Sequence, residues 1–462
     1  MRTKKFAILG RVNRALKGAV AVWSFQFALA LFLMLSVTIT ALGQTEAQSS
    51  TDSSLALTLD KCIQLGLEVN HSLLVQRESL IRASASRLGS WSSFLPGASA
   101  RVSWSHSGEE GYSFSESGLT LSREYYSAGL SASYTIFTGG QNYFDLRNSY
   151  LSYRASEATL DETQAVLIYS IKTAFFGVIS ARQTEKNMQH ALERTRDQMV
   201  LVTQRDSLGM ADPTEVTQIK VSLAETELAA LQAANARKKA EQSLLALLSY
   251  PLDVNLDLVE PQREIEHVEP LENYLSQALD YNPQVRTAEI ALKQTKLSRL
   301  SSWGDYLPSA SASYSYNWGD SELPGSFSEF DDEASWSVGI SASWTLFSGT
   351  SRIYSLKYSS SNLREAEIGL AMAKQSVEVD VRDAYRAMTE AAARIKLAEA
   401  RYENAQLNLT LFKEKFELGD CTLLELLQAE LTLREAEAEK ISAEFDYQTS
   451  IAELERLTGG GE

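Results

Sequence analysis

Two stretches of the chain, Phe137–Leu208 and Phe347–Leu418, each run about seventy residues without a proline, although the sequence holds eight. Each opens at a glycine-marked corner (Thr138-Gly139-Gly140; Ser348-Gly349-Thr350) and carries one internal glycine, Gly177 or Gly369. Each stops at a Leu-Gly pair, Leu208-Gly209 or Leu418-Gly419. A helix of that length is roughly 100 Å long at 1.5 Å per residue, several times an ordinary globular helix. A compact core has no use for such a rod, whereas a device that spans a distance does.

The two stretches belong to a longer repeat. Asn70 and Asn282 lie 212 residues apart, as do Leu95-Pro96 and Leu307-Pro308. Phe137 and Phe347, Leu208 and Leu418, and Glu215 and Glu425 are each separated by 210. Five matches at a nearly constant offset indicate a tandem duplication. Repeat 1 spans 56–250 and repeat 2 spans 271–459. A proline-bearing linker, 251–270, has no helical period and joins them.

Each repeat reads in the same order. A first helix (57–92; 271–304) is closed by the Leu-Pro pair. Two strands follow, about 98–107 and 124–137 in repeat 1 and about 309–319 and 335–347 in repeat 2. In them Ala, Val, Ile, Leu, Tyr and Trp alternate with Ser and Thr. Period two with one apolar face marks half-buried strands. A polar face with almost no charge, and aromatics towards the ends of the apolar face (Trp104, Tyr134, Trp318, Trp336, Trp344), is the alternation of a membrane barrel. Four strands cannot close a barrel alone, and open edges are not tolerated in lipid. Several chains must therefore share one barrel, of eight, twelve or sixteen strands by this argument. An ordinary antiparallel sheet packed on a helix remains the competing explanation of the strands taken alone.

The long helices come next, 139–207 and 350–417, and then returning helices, 213–249 and 422–458. Along the second rod Tyr385, Met388, Ala392, Ile395, Ala398, Tyr402, Ala405, Leu409, Phe412 and Phe416 follow by threes and fours, a coiled-coil seam. At the turns, Gly209 and Gly419 suit the left-handed position that ends a helix. Asp212-Pro213-Thr214-Glu215 restarts one with an N-cap and a proline at the first helical position. Thr422-Leu423-Leu424-Glu425 reads as a capping box. Capping alone explains both Glu215 and Glu425.

Composition removes several functional classes. The four histidines and two cysteines (Cys62, Cys421) are scattered, so no metal centre, cofactor site or acid–base cluster is offered and an enzyme is not expected. The N-terminus carries Arg2, Lys4, Lys5, Arg11, Arg14 and Lys17, then an uncharged run from Gly18 to Gly43 ending Ala41-Leu42-Gly43. That is the pattern of a secretory signal over 1–43, followed by a tail over 44–55; an uncleaved anchor is the alternative. Removing the signal makes a chain of formal net charge −16 more acidic still, a poor partner for nucleic acid.

With these pieces in place, the sequence resembles the outer-membrane factor family, the TolC-like efflux and type I secretion channels. The resemblance covers about 55–459 and rests on the duplication, the Leu-Pro junctions, the Phe-[Thr/Ser]-Gly corners and the two turns. It implies a mainly α protein with a membrane β-barrel: a homotrimer with a twelve-stranded barrel in outer-membrane lipid on a twelve-helix tunnel in the periplasm. It also implies docking of the turns (Leu208, Gly209, Thr214, Val216, Leu418, Gly419, Thr422, Leu423) on a periplasmic adaptor, and through it on an inner-membrane pump. By the same resemblance, Glu425 falls where an aspartate ring narrows the pore entrance, and Gln428 at a second ring. Glu215 matches a carboxylate that bonds a tyrosine and holds the entrance shut. Phe416 stands at that tyrosine's position without a hydroxyl, and Cys421 stands where a locking arginine can occur. The polar lock is therefore expected to be missing, with closure resting on packing and capping. A periplasmic or surface coiled-coil scaffold without a pore is the alternative; it accounts for the rods but not for serine-alternating strands in both repeats.

Overall fold

The computed structural model describes residues 55–115, 118–209, 212–254, 256–260, 269–321 and 334–459. The expected signal, all but the last residue of the tail and much of the linker lie outside the described residues.

Absence of proline lets the rods form uninterrupted. They are α3 (Gln141–Ser207) and α7 (Ser351–Leu418). Gly177 and Gly369 are carried inside them at a cost of about 1 kcal/mol each relative to alanine. Two antiparallel companions return along them: α4 (Pro213–Leu247) beside α3, and α8 (Leu423–Thr458) beside α7. α8 also packs on α3, which joins the two hairpins into one body.

The first helix of each half differs from expectation, because each is two helices. The first half has α1 (Leu59–Val69) and α2 (His71–Gly89), and the second has α5 (Leu271–Tyr281) and α6 (Pro283–Gly304). The break falls at Asn70 and Asn282, whose extended backbones end one helix and N-cap the next. Asn70 Nδ2 donates to the Leu247 carbonyl at 2.9 Å, and Asn282 Nδ2 to the Leu457 carbonyl at 3.0 Å. Each asparagine thus caps its own helix and the exposed C-terminal carbonyls of the returning helix. A single-helix reading of the apolar period could not see this tertiary bond.

A second addition is a two-stranded parallel sheet, β1 (Leu55–Leu57) with β4 (Leu256–Leu258). It pins Leu55–Leu57 to the segment read as linker. These strands, α1, α2, the middle of α3 and the end of α4 enclose a core around Leu73, Ile171, Phe175 and Leu244. Cys62 lies in it fully buried, and burial pushes its thiol up to about 11. A comparable core in the second half holds Val285, Val381, Met388, Tyr447 and Leu457.

The remaining strands form one antiparallel sheet in the order β2 (Gly97–Ser115), β3 (Gly118–Thr138), β5 (Ser309–Asp320), β6 (Ser335–Ser343). β2 and β3 extend beyond the expected hairpin, and β6 stops short of it at Ser343. Register aligns the serines across all four strands: Ser99 opposite Ser131, Ser131 opposite Ser315, Ser315 opposite Ser337. Several touch, with Oγ–Oγ distances of 2.8 Å for Ser99–Ser131 and 2.8 Å for Ser315–Ser337. A bulge at Ile136 shifts the register just before the corner. There Gly139, at φ +65°, passes so close to α6 that an added Cβ would meet the Gly304 carbonyl oxygen at 2.3 Å.

Candidate pore entrance at the helical turns

The ends of α3 and α7 and the starts of α4 and α8 share one apolar core. It contains Val202, Ile219, Leu409, Phe416, Leu423 and Leu426. Gly209 and Gly419 take φ +70° and +79°, the left-handed conformation that ends each rod.

The two restarts are built differently. At α8 the capping box is complete. The Thr422 N–H and hydroxyl donate to Glu425 Oε2 at 2.8 and 2.9 Å, and the Glu425 N–H donates to Thr422 Oγ1 at 3.3 Å. Those bonds from Thr422, the backbone one foremost, hold the Glu425 carboxyl below its usual range. At α4, Asp212 is the N-cap and takes bonds from the Thr214 N–H (2.8 Å) and hydroxyl (2.7 Å), which hold its carboxyl low as well. Glu215 makes no matching reciprocal cap, and its Oε2 is buried without a hydrogen-bond partner. The capping account of Glu215 therefore fails, since proline at the first helical position and Asp212 already do that work.

Phe416 is a core residue, 1% exposed, and lines no surface. The Arg205 guanidinium lies 4.7 Å over its ring. Leu423 is likewise 1% exposed, so the expectation that it docks a partner is corrected: it fills the core beneath the turn. Leu208, Gly209, Thr214, Leu418, Gly419 and Thr422 are exposed, and Val216 is half-buried. Gln428 is exposed, with Leu424 and Leu431, in a groove of about 700 Å³ between α4 and α8. Cys421 donates to the Phe412 carbonyl at 3.4 Å, and burial, then the Glu425 charge, raises its pKa, so the thiol stays protonated.

Above the turns, α3 and α8 enclose a polar seam. Glu430 and Glu437 are buried, and Arg194 Nε stands 3.6 Å from Glu430 Oε1, too far for a hydrogen bond. Burial raises both carboxyl pKa values, and the Arg194 charge opposes it without overcoming it. Polar positions in the α8 period gave this seam no distinguishing signal.

At the sheet end, Trp104, Tyr134, Trp336 and Trp344 are exposed on or beside the apolar face. Trp318 is corrected: at 4% exposed it is enclosed within the chain and has no surface to offer lipid. Sequence reasoning missed two further aromatic pairs, Trp91–Phe94 and Trp303–Tyr306, with ring centroids 6.0 and 5.9 Å apart. Both tryptophans are half exposed just before the Leu-Pro pairs. Their own separation of 212 residues was the available signal.

The model of the family described as outer membrane efflux protein matches residues 62–249 and 274–460. The chain is 24% identical over 301 residues to the alkaline protease secretion protein AprF of Pseudomonas aeruginosa, covering 63% of this chain and 61% of that one. It is 22% identical over 301 residues to the outer membrane protein TolC of Escherichia coli, again 63% and 61%. The match thus spans about three fifths of the length of these relatives. The fold is shared with the CmeC outer membrane channel of Campylobacter jejuni, with TM-score 0.76, 19% identity, and 91% of each chain covered.

Proposed function

We propose, for a chain that belongs to the outer membrane efflux protein family, that it is the exit duct of a tripartite efflux pump or type I secretion system. Three copies close a twelve-stranded barrel in the outer membrane, and their helices form a tunnel in the periplasm. The chain is a passive conduit, without catalysis or an energy source of its own. An adaptor docks on the exposed turn residues and links the duct to an inner-membrane pump.

One observation carries this reading. Among the described residues, the four-stranded sheet ends in two unpaired edges, β2 and β6, and apart from Trp318 and Asp320 its two faces are largely uncovered. Val102, Val338 and Ile340 are 85%, 69% and 78% exposed on its apolar face, while most of the serines stand exposed on the other. Such a sheet is unsuitable for water on its apolar side and for lipid on its polar side and edges. Closure with the sheets of other copies, polar face inward, satisfies all three surfaces. Two duplicated units of two strands each, taken three times, supply twelve strands.

At the entrance, threefold symmetry would gather three Glu425 carboxylates, each kept ionised by its capping box, and three Gln428 amides. Glu215 brings its buried, unbonded Oε2 to the same level. Reconstitution of the mature protein in planar lipid bilayers tests the duct directly. Discrete conductance steps are expected; a detergent-solubilised protein that never conducts contradicts it and favours the scaffold.

A further inference from the structure

The polar face of the sheet carries one charge along its described side chains. Over residues 97–105, 125–135, 309–319 and 335–343 the positions on that face are Ser, Thr, Asn, Gly or Tyr, with the exception of Arg101. Its row across the four strands reads Arg101, Gly129, Asn317, Ser335. A Cβ added at Gly129 would meet Asn317 Oδ1 at 2.8 Å. The space beside Arg101 is therefore taken by a neutral amide oxygen, in a row that holds no carboxylate. Arg101 is exposed, and a guanidinium is never deprotonated in a protein.

We infer that Arg101 is the charge-selecting residue of the outer-membrane end of the duct, favouring anionic solutes in transit. The inference rests on the duct reading, because the polar face is a lumen only when the strands close a barrel. One Arg101 per chain then makes a positive collar in a passage whose other described side chains are uncharged, opposite in sign to the acidic entrance. Carboxylate- and phosphate-bearing solutes meet there a planar donor fork matched to their oxygens. Strand register, rather than any motif, creates the collar, since a one-residue slip would turn Arg101 to lipid.

The test is the reversal potential of single channels of the full-length mature protein under a KCl gradient, for wild type, Arg101→Gln, Arg101→Glu and Arg101→Lys. At about 0.1 M salt Arg101→Gln raises the potassium-to-chloride permeability ratio roughly fivefold, the Boltzmann factor of three screened charges about 10 Å away acting with opposite sign on the two ions. Arg101→Glu raises it further, and Arg101→Lys restores the wild-type value. The differences shrink at 1 M salt, where screening shortens to about 3 Å. Conducting channels with one common reversal potential in all four forms overturn the collar and leave the duct standing. Failure of every form to conduct overturns the duct, and the collar with it.

Discussion

The guanidinium of Arg205, in the last turn of α3, lies 4.7 Å over the ring of Phe416, in the last turn of α7. The pair ties the first helical hairpin to the second beside the turns. A hydroxyl is not needed for this tie, because the ring face itself attracts the cation. In the proposed duct it is the contact that would stand in for a tyrosine-based lock.

Stacking of this kind is worth about 0.5–2 kcal/mol. Arg205→Gln is therefore expected to loosen the entrance and raise single-channel conductance or open time, while Phe416→Tyr, which keeps the ring, leaves both near wild type. Wild-type gating in Arg205→Gln would show that the pair does not hold the entrance.

Glu425 offers a second prediction. Its carboxyl is held low by the bonds from Thr422, so it stays charged at neutral pH and the cap it makes is lost only as pH falls through that depressed value. Glu425→Gln retains an acceptor for the Thr422 N–H but removes the charge. Cation preference should fall while the thermal unfolding temperature at pH 7 changes little. An unchanged reversal potential would remove Glu425 from the conduction path.

The seam between α3 and α8 gives a pH dependence of opposite sign. Glu430 and Glu437 have raised pKa values, so the native state binds more protons than the unfolded chain between their ordinary value of about 4.3 and the raised one. Their contribution to stability is full below that window and disappears as pH rises through it. Wild type should lose more Tm between pH 5 and pH 8 than Glu430→Gln does, with Glu437 keeping part of the dependence. Arg194→Ala, which removes the larger of the two positive charges that oppose the burial of Glu430 and leaves Arg434, should lower stability more at pH 8 than at pH 5. Equal pH dependence in wild type and Glu430→Gln contradicts this assignment.

Asn282 supports two helix ends at once, and Asn282→Asp keeps only one of them. The carboxylate can still cap α6 but repels the Leu457 carbonyl to which Nδ2 donates. A loss of roughly 1–3 kcal/mol is expected, and a similar one for Asn70→Asp at Leu247. Urea unfolding measures both; an unshifted midpoint for Asn282→Asp would assign the capping of α8 elsewhere.

What the sequence disclosed divides along physical lines. The rods, the strand alternation and the Thr422–Glu425 box depend on period, on proline placement and on residues three apart, all of which a sequence displays. The broken first helices, the β1–β4 pairing and the Arg205–Phe416 stack depend on partners from about 175 to 211 residues away, and no local pattern encodes those. Asn70 and Asn282 show the boundary well: their common offset marked them as equivalent positions, yet the carbonyls they bond lie at the far ends of other helices. The capping reading of Glu215 and the docking reading of Leu423 fail for a related reason, since position in a turn does not reveal which way a side chain faces.

Electron imaging of the mature, detergent-extracted protein with rotational averaging tests the central claim most directly. The account predicts a hollow particle of threefold symmetry whose helical part is roughly 100 Å long. A solid rod, or a particle that remains monomeric and soluble without detergent, would contradict it.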